Sequence, residues 1–106
     1  MTRTLTVDEA AQEEAEAQAA YYLERAGSAI ALAFVAELEA IYRGLAEARV
    51  VGVNHPRVKF RLPIKRAFMA RFPFAVVFFI DADLVRVVAV EALRRRPGYW
   101  RSRLRK

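Results

Sequence analysis

The sequence predicts an α+β domain in the order β-α-α-β-β-β. A helical hairpin packs on one face of a small antiparallel sheet, and a short basic segment closes the chain. Three observations carry this. Residues 7–48 are rich in Ala, Glu and Leu, with apolar residues at helical spacing. Residues 58–92 turn to Val, Phe and Ile, in alternating or unbroken apolar runs. Strands gathered after helices, rather than alternating with them, point to α+β. At 106 residues the chain is expected to be one domain, 1–106, with one core.

Composition removes several function classes. There is no cysteine, which excludes disulfides and thiolate chemistry and suits a reducing cytoplasm. The longest wholly apolar run, Phe74 to Ile80, has seven residues, against about 20 for a membrane-spanning helix. The opening MTRTLTVDEA has no apolar core of a secretory signal. A cytoplasmic location without a membrane partner is expected. Charge is divided between the halves: residues 1–50 carry four Lys/Arg and nine Asp/Glu, and residues 51–106 carry fourteen and three. Five arginines crowd between Arg94 and Arg103. That asymmetry suggests a polyanion or an acidic protein as partner of the basic half.

The elements follow in order. Leu5 and Val7 between threonines suggest a first strand over Arg3 to Thr6. Thr6 and Glu9 have the spacing of a capping box. A helix is expected from about Val7 to Arg25, with Val7, Ala11, Ala15, Ala19 and Tyr22 as its buried stripe and Glu13, Glu14, Glu16 and Glu24 as a solvated face. Gly27 suits the helix end, and Ser28 the cap of a second helix over about Ala29 to Ala48. Ile30, Phe34, Leu38, Ile41 and Leu45 form its stripe. The link is so short that the two helices form an antiparallel hairpin.

Val50 to Arg57 reads as a connection through Gly52, Asn54 and Pro56. Its histidine, His55, reads as an ordinary loop residue, and with no second His and no Cys no metal site is expected. Val58, Phe60, Leu62 and Ile64 alternate with Lys59 and Arg61, but Pro63 limits this piece to an edge strand or an extended arm. Arg66 to Ala70 is a further short strand. Pro73 to Ile80 is apolar on both faces, hence central. Asp81-Ala82-Asp83 is a turn, and Leu84 to Ala92 the last strand. The helices can cover one face of Phe74 to Ile80. Ala75, Val77 and Phe79, on the other, are expected to stand open to a partner.

The segment from Arg66 to Trp100 resembles the C-terminal half of the RelE/ParE superfamily, toxins of bacterial type II toxin–antitoxin modules also known as plasmid stabilisation systems. The likeness is carried by Phe72-Pro73-Phe74, Ala89-Val90, Arg94 to Arg96 and Pro97-Gly98-Tyr99-Trp100, and the helical hairpin with Tyr21-Tyr22 and Phe34 extends it over nearly the whole chain. Many members have a histidine at the end of the last strand; here that position is Ala92, with Glu91 beside it.

The resemblance implies growth arrest by one of two routes. RelE-like members are mRNA interferases that cut mRNA in the ribosomal A site, without metal, by attack of the ribose 2′-OH. ParE-like members poison DNA gyrase by binding alone. The clustering of arginines with a tyrosine leans to the first: Tyr99, Arg95 and Arg71 would be catalytic, in proton transfer and in neutralising the charge that builds on the phosphate. Arg94, Arg96, Arg101, Arg103, Lys65 and Arg66 would bind nucleic acid or target. The missing histidine leaves a third reading, a degenerate nucleic-acid-binding relative without toxicity. No cofactor is expected. The implied partner is an acidic antitoxin from an adjacent gene that wraps the toxin in a hetero-oligomer, through Ala75, Val77 and Phe79. Trp100 is expected to pack the C-terminal segment back onto the sheet.

Overall fold

The computed structural model describes residues 2–56 and 58–105. Arg57, the end of the expected connection, and Lys106, the end of the basic segment, lie outside them. The elements are β1 (Thr4–Val7), α1 (Glu9–Ala26), α2 (Ser28–Ala46), β2 (Val53–Asn54), β3 (Lys65–Phe68), β4 (Phe74–Asp81), β5 (Leu84–Ala92) and a 3-10 turn over Arg101–Arg105. The predicted α+β architecture with a helical hairpin is present. One five-stranded sheet runs in the order β1-β5-β4-β3-β2. It is mixed rather than antiparallel, because β1 lies parallel to β5, Thr4 opposite Leu84 and Val7 opposite Val87. Parallel neighbours need a long connection, and everything from α1 to β4 supplies it. β2, inside the expected connection, is only two residues long and too short to leave a periodic signal.

Helix ends depart from expectation in detail. Asp8, not Thr6, precedes α1, and it makes no side-chain cap. Its carboxylate is taken by Arg86 of β5, at 2.8 and 2.9 Å. Gly27, at φ +92°, both ends α1 and opens α2, so Ser28 is already helical and caps nothing. Ala11 and Ala15 of α1 and Phe34, Leu38 and Leu45 of α2 are buried as predicted, but Ile30, in the first turn of α2, is 41% exposed. Among the described residues no helix is long and apolar enough to cross a membrane.

Two cores flank the sheet. On the helix side Phe34, Leu38 and Leu45 pack against Val76, Phe78, Val85 and Val87. On the other side Ile64 and Trp100 close over Val77, Phe79, Val88 and Ala89, with Val58, Phe60, Leu62 and Leu104 packed around them. Residues 58–64 are therefore the extended arm of the two options, not a strand. Pro63 has no amide to give a ladder. The alternation still gives the arm an apolar side, which lies on the sheet, while Lys59 and Arg61 stay exposed. This corrects the expected open face: Ala75 and Val77 are fully buried and Phe79 is 4% exposed, and the chain's own arm and tryptophan cover Val77 and Phe79.

The β4–β5 ladder contains one irregularity. Val77 lies opposite Ala89, but the next pair is Phe78 with Val87, so Val88 is an extra residue in β5. Such a bulge re-aims the side chains beyond it. Val85 and Val87 face the helices before it, Val90 and Ala92 after it. Ala89 and Glu91 consequently face the arm.

Tyr42 of α2 has a buried hydroxyl without a hydrogen-bond partner among the described residues. Burial, and behind it the charge of Glu14, pushes its pKa up to about 12. Removing an orphaned buried hydroxyl is neutral to favourable, so Tyr42→Phe should raise stability by about 1 kcal/mol. The folded pKa lies above the unfolded value. The wild type therefore holds its full stability below the unfolded phenol range, about 10, and loses it as pH rises towards about 12. Urea melts at pH 8 and pH 11 check both points: the phenylalanine variant should be the more stable at each, and by more at pH 11.

Candidate functional site at the C-terminal arginine segment

Beyond β5 the chain turns sharply. Leu93 donates its amide to the Pro73 carbonyl at 3.0 Å and Arg95 to the Ala92 carbonyl at 3.0 Å. Pro97 and Gly98 then reverse direction, with Gly98 at φ +80°. The adjacent side chains of Tyr99 and Trp100 part company. Trp100 enters the arm-side core and is fully buried, as the sequence suggested. Tyr99 turns towards α1, where its hydroxyl donates to the Glu14 carboxylate.

Glu14 organises this end of the molecule. Its two oxygens accept from Arg103 Nη1 and Nη2 at 3.0 and 3.1 Å, and from the Val90 amide at 3.1 Å. Arg95 Nη1 stands 3.7 Å away. The predicted solvated face of α1 thus keeps Glu13, Glu16 and Glu24 exposed, but not Glu14. Glu14 lies one turn beyond Ala11 and next to Ala15, at the margin of the buried stripe, where a long side chain reaches β5. Arg95 lies over the Tyr99 ring, 3.6 Å from its centroid, with its side chain 57% exposed. Burial first, then the hydrogen bond to Glu14, holds the Tyr99 phenol well above its usual range, so the hydroxyl keeps its proton.

A concave pocket of about 350 Å³ adjoins this cluster, lined by Glu14, Gln18, Tyr21, Ala92, Arg95 and Tyr99 among others. Ala92 contributes a methyl group to its wall. Arg94, Arg96 and Arg101 are exposed around the same turn. The structure therefore gathers Tyr99, Arg95 and Arg103, with Arg94, Arg96 and Arg101 on the surrounding surface.

The remaining expected site residues lie elsewhere. Arg71 sits in the turn before β4, 66% exposed, its Nε 3.9 Å from Glu37. Lys65 and Arg66 are on β3, with β4 between them and β5. Arg66 is directed to the arm-side face, over the Phe68 ring at 4.9 Å and 3.8 Å from Glu91. Val77 and Phe79 lie under the arm, and Ala75 is fully buried beside them in β4.

Sequence reasoning missed three polar residues. Glu14 is one. His55 and Glu91 are the others, buried at 5% and 2% exposure and facing one another at 3.3 Å. His55 is thus not an ordinary loop residue. Gly52 lets its loop approach the sheet: at φ +73°, a Cβ there would stand 2.8 Å from the Arg66 carbonyl oxygen. The signal for Glu91 was present as a lone carboxylate in the apolar run from Val87 to Ala92.

Among solved structures, the chain is similar to one from the chromosomal ParDE TA system of P. aeruginosa, with a TM-score of 0.71 and 16% identity over 88% of this chain and 98% of that one. The two share a fold. That shared fold agrees with the one that the RelE/ParE resemblance implied. No family model and no curated protein matches the chain.

Proposed function

We propose that the chain is the toxin of a type II toxin–antitoxin pair and arrests growth by binding its target through the arginine surface around Arg94 to Arg101, in the manner of the gyrase poisons. The observation that carries this reading is the engagement of Tyr99. Its hydroxyl is held by Glu14, which Arg103 pairs bidentately. The one tyrosine available for proton transfer in this segment is thereby tied into the fold. Arg94, Arg95, Arg96 and Arg101 remain exposed at the surface, suited to an acidic partner. The similarity to a chain of a ParDE system agrees with a toxin–antitoxin role. A cognate antitoxin has a surface to cover: Leu23, Ile30 and Leu32 are 55, 41 and 67% exposed at the closed end of the helical hairpin.

A second reading, the ribosome-dependent mRNA endonuclease, is favoured by the guanidinium of Arg95 stacked on Tyr99 beside an open pocket. Expression with and without the neighbouring reading frame separates the two. Under the binding reading, arrest comes with trapped gyrase and DNA damage, Tyr99→Phe stays toxic, and reversing Arg94 and Arg96 to Glu removes toxicity. Cleaved mRNA on ribosomes, with toxicity lost in Tyr99→Phe and Arg95→Ala while the antitoxin still binds, selects the endonuclease instead. Arrest in neither form, with a well-folded chain, overturns the toxin assignment.

A further inference from the structure

We propose that Glu91 is a positioning residue: a buried carboxylate that latches the C-terminal segment onto the sheet and so sets where its arginines stand. This rests on the reading that Arg94 to Arg101 faces the target. Glu91 sits on the arm side of β5 because of the bulge at Val88. Its Oε2 accepts from Trp100 Nε1 at 2.8 Å and, more weakly, from the Gly98 amide at 3.5 Å. Its Oε1 lies 3.3 Å from His55 Nε2 and 3.8 Å from Arg66 Nη1. Three stretches distant in sequence thus meet at one side chain: the loop at His55, strand β3 and the Gly98–Trp100 turn.

The histidine is itself fixed. His55 Nδ1 lies 2.9 Å from the Pro56 carbonyl, which only accepts, so Nδ1 carries a proton and Nε2 is the atom turned to Glu91. The imidazole stands edge-on to the Trp100 indole, centroids 5.1 Å apart at 81°. Loop, carboxylate and indole therefore hold one another in a single geometry.

An apolar residue at position 91 would fill the same space. It would offer the indole N–H no acceptor and leave the ring free to choose other orientations in the core. A buried carboxylate is costly unless paired, and one attested benefit of such a group is a single defined arrangement. The consequence for the arginines is geometric. Tyr99 and Trp100 are neighbours on opposite faces, so fixing the indole fixes the tyrosine ring, on which Arg95 is stacked.

The test uses the full chain, in which Trp100 is the only tryptophan and its emission reports the latch directly. Glu91→Leu should red-shift that emission and accelerate amide exchange over residues 93–105 about tenfold, the loss expected for one buried hydrogen-bond set. Exchange in α1 and α2 should stay unchanged, and growth arrest should fall. Glu91→Gln should restore emission, exchange and arrest, because its amide oxygen accepts from Trp100 while its NH2 donates to His55 Nε2. Unchanged emission and exchange in Glu91→Leu overturn the proposal. A loosened segment with arrest undiminished upholds the latch and removes the target surface from these arginines, so the two readings fail separately. If Glu91→Leu does not fold, Trp100→Phe keeps an aromatic ring in the core but removes the N–H together with one of the two fused rings. Its exchange over 93–105 should rise likewise, and wild-type protection there overturns the latch.

Discussion

Replacing Glu14 by alanine should destabilise the protein by about 3 kcal/mol, the range for removing one partner of a buried charged network. The carboxylate serves four donors at once: the Tyr99 hydroxyl, both terminal nitrogens of Arg103 and the Val90 amide. Its side chain is 18% exposed and that of Arg103 22%, so water replaces these bonds only in part. Arg103 keeps one bond, to the Val88 carbonyl at 3.0 Å, which limits the loss on its side. The Val90 amide belongs to the sheet and the tyrosine to the C-terminal turn, so α1 loses its polar tie to both. Urea melts of the purified variant check the magnitude. Glu14→Gln should recover about half of the loss, since its amide oxygen still accepts from Tyr99 or Val90 but the charge opposite Arg103 is gone. A loss below about 1 kcal/mol for Glu14→Ala would show that water and Arg103 make up for the carboxylate.

Phe34→Ala should cost more, about 3–5 kcal/mol, as for large-to-small changes at fully enclosed sites. Phe34 is 0% exposed and stands at the centre of an aromatic group. Its ring lies 5.5 Å from Tyr22, 5.3 Å from Phe72 and 5.6 Å from Phe74, centroid to centroid, in edge-on or tilted contact. Those rings come from α1, from the turn before β4 and from β4, so a cavity there unpacks the hairpin from the sheet. Aromatic pairs add about 0.5–1.5 kcal/mol beyond their buried area, which places Phe34→Leu, a change that keeps volume but not ring contacts, at a smaller loss. Denaturant melts read both. Full collapse of the surrounding rings into the space would appear as a cost under about 2 kcal/mol.

The elements legible in the sequence are those written in local periodicity. The stripe Phe34, Leu38 and Leu45 marked α2, the two-faced apolar run marked β4 as central, and the Ala82-Asp83 turn followed from its residues. What the sequence left hidden depends on long-range pairing. Glu14 looked like its neighbours Glu13 and Glu16, because nothing within a helical turn distinguishes it. Its partners lie 76 to 89 positions later in the chain. His55 and Glu91 are 36 apart and meet only after the sheet has formed. The arm showed its alternation plainly, but alternation says which side is apolar, not what it lies against. The open face inferred at Ala75, Val77 and Phe79 came from counting two helices as the only available cover.

The extra residue Val88 makes chain length, and not only residue type, part of what β5 encodes. A strand read by composition alone would survive the loss of one valine among several. Here the ladder itself holds a spare residue, since Val87 and Ala89 pair with the adjacent Phe78 and Val77. With one fewer, the ladder would run regularly, Val90 and Ala92 staying on the helix side and Ala89 and Glu91 on the arm side. A deletion at Val88 is therefore absorbed by closing the bulge, whereas a residue inserted between Val88 and Ala92 exchanges the two faces beyond it unless a second bulge takes it up. The C-terminal segment inherits its orientation from that count.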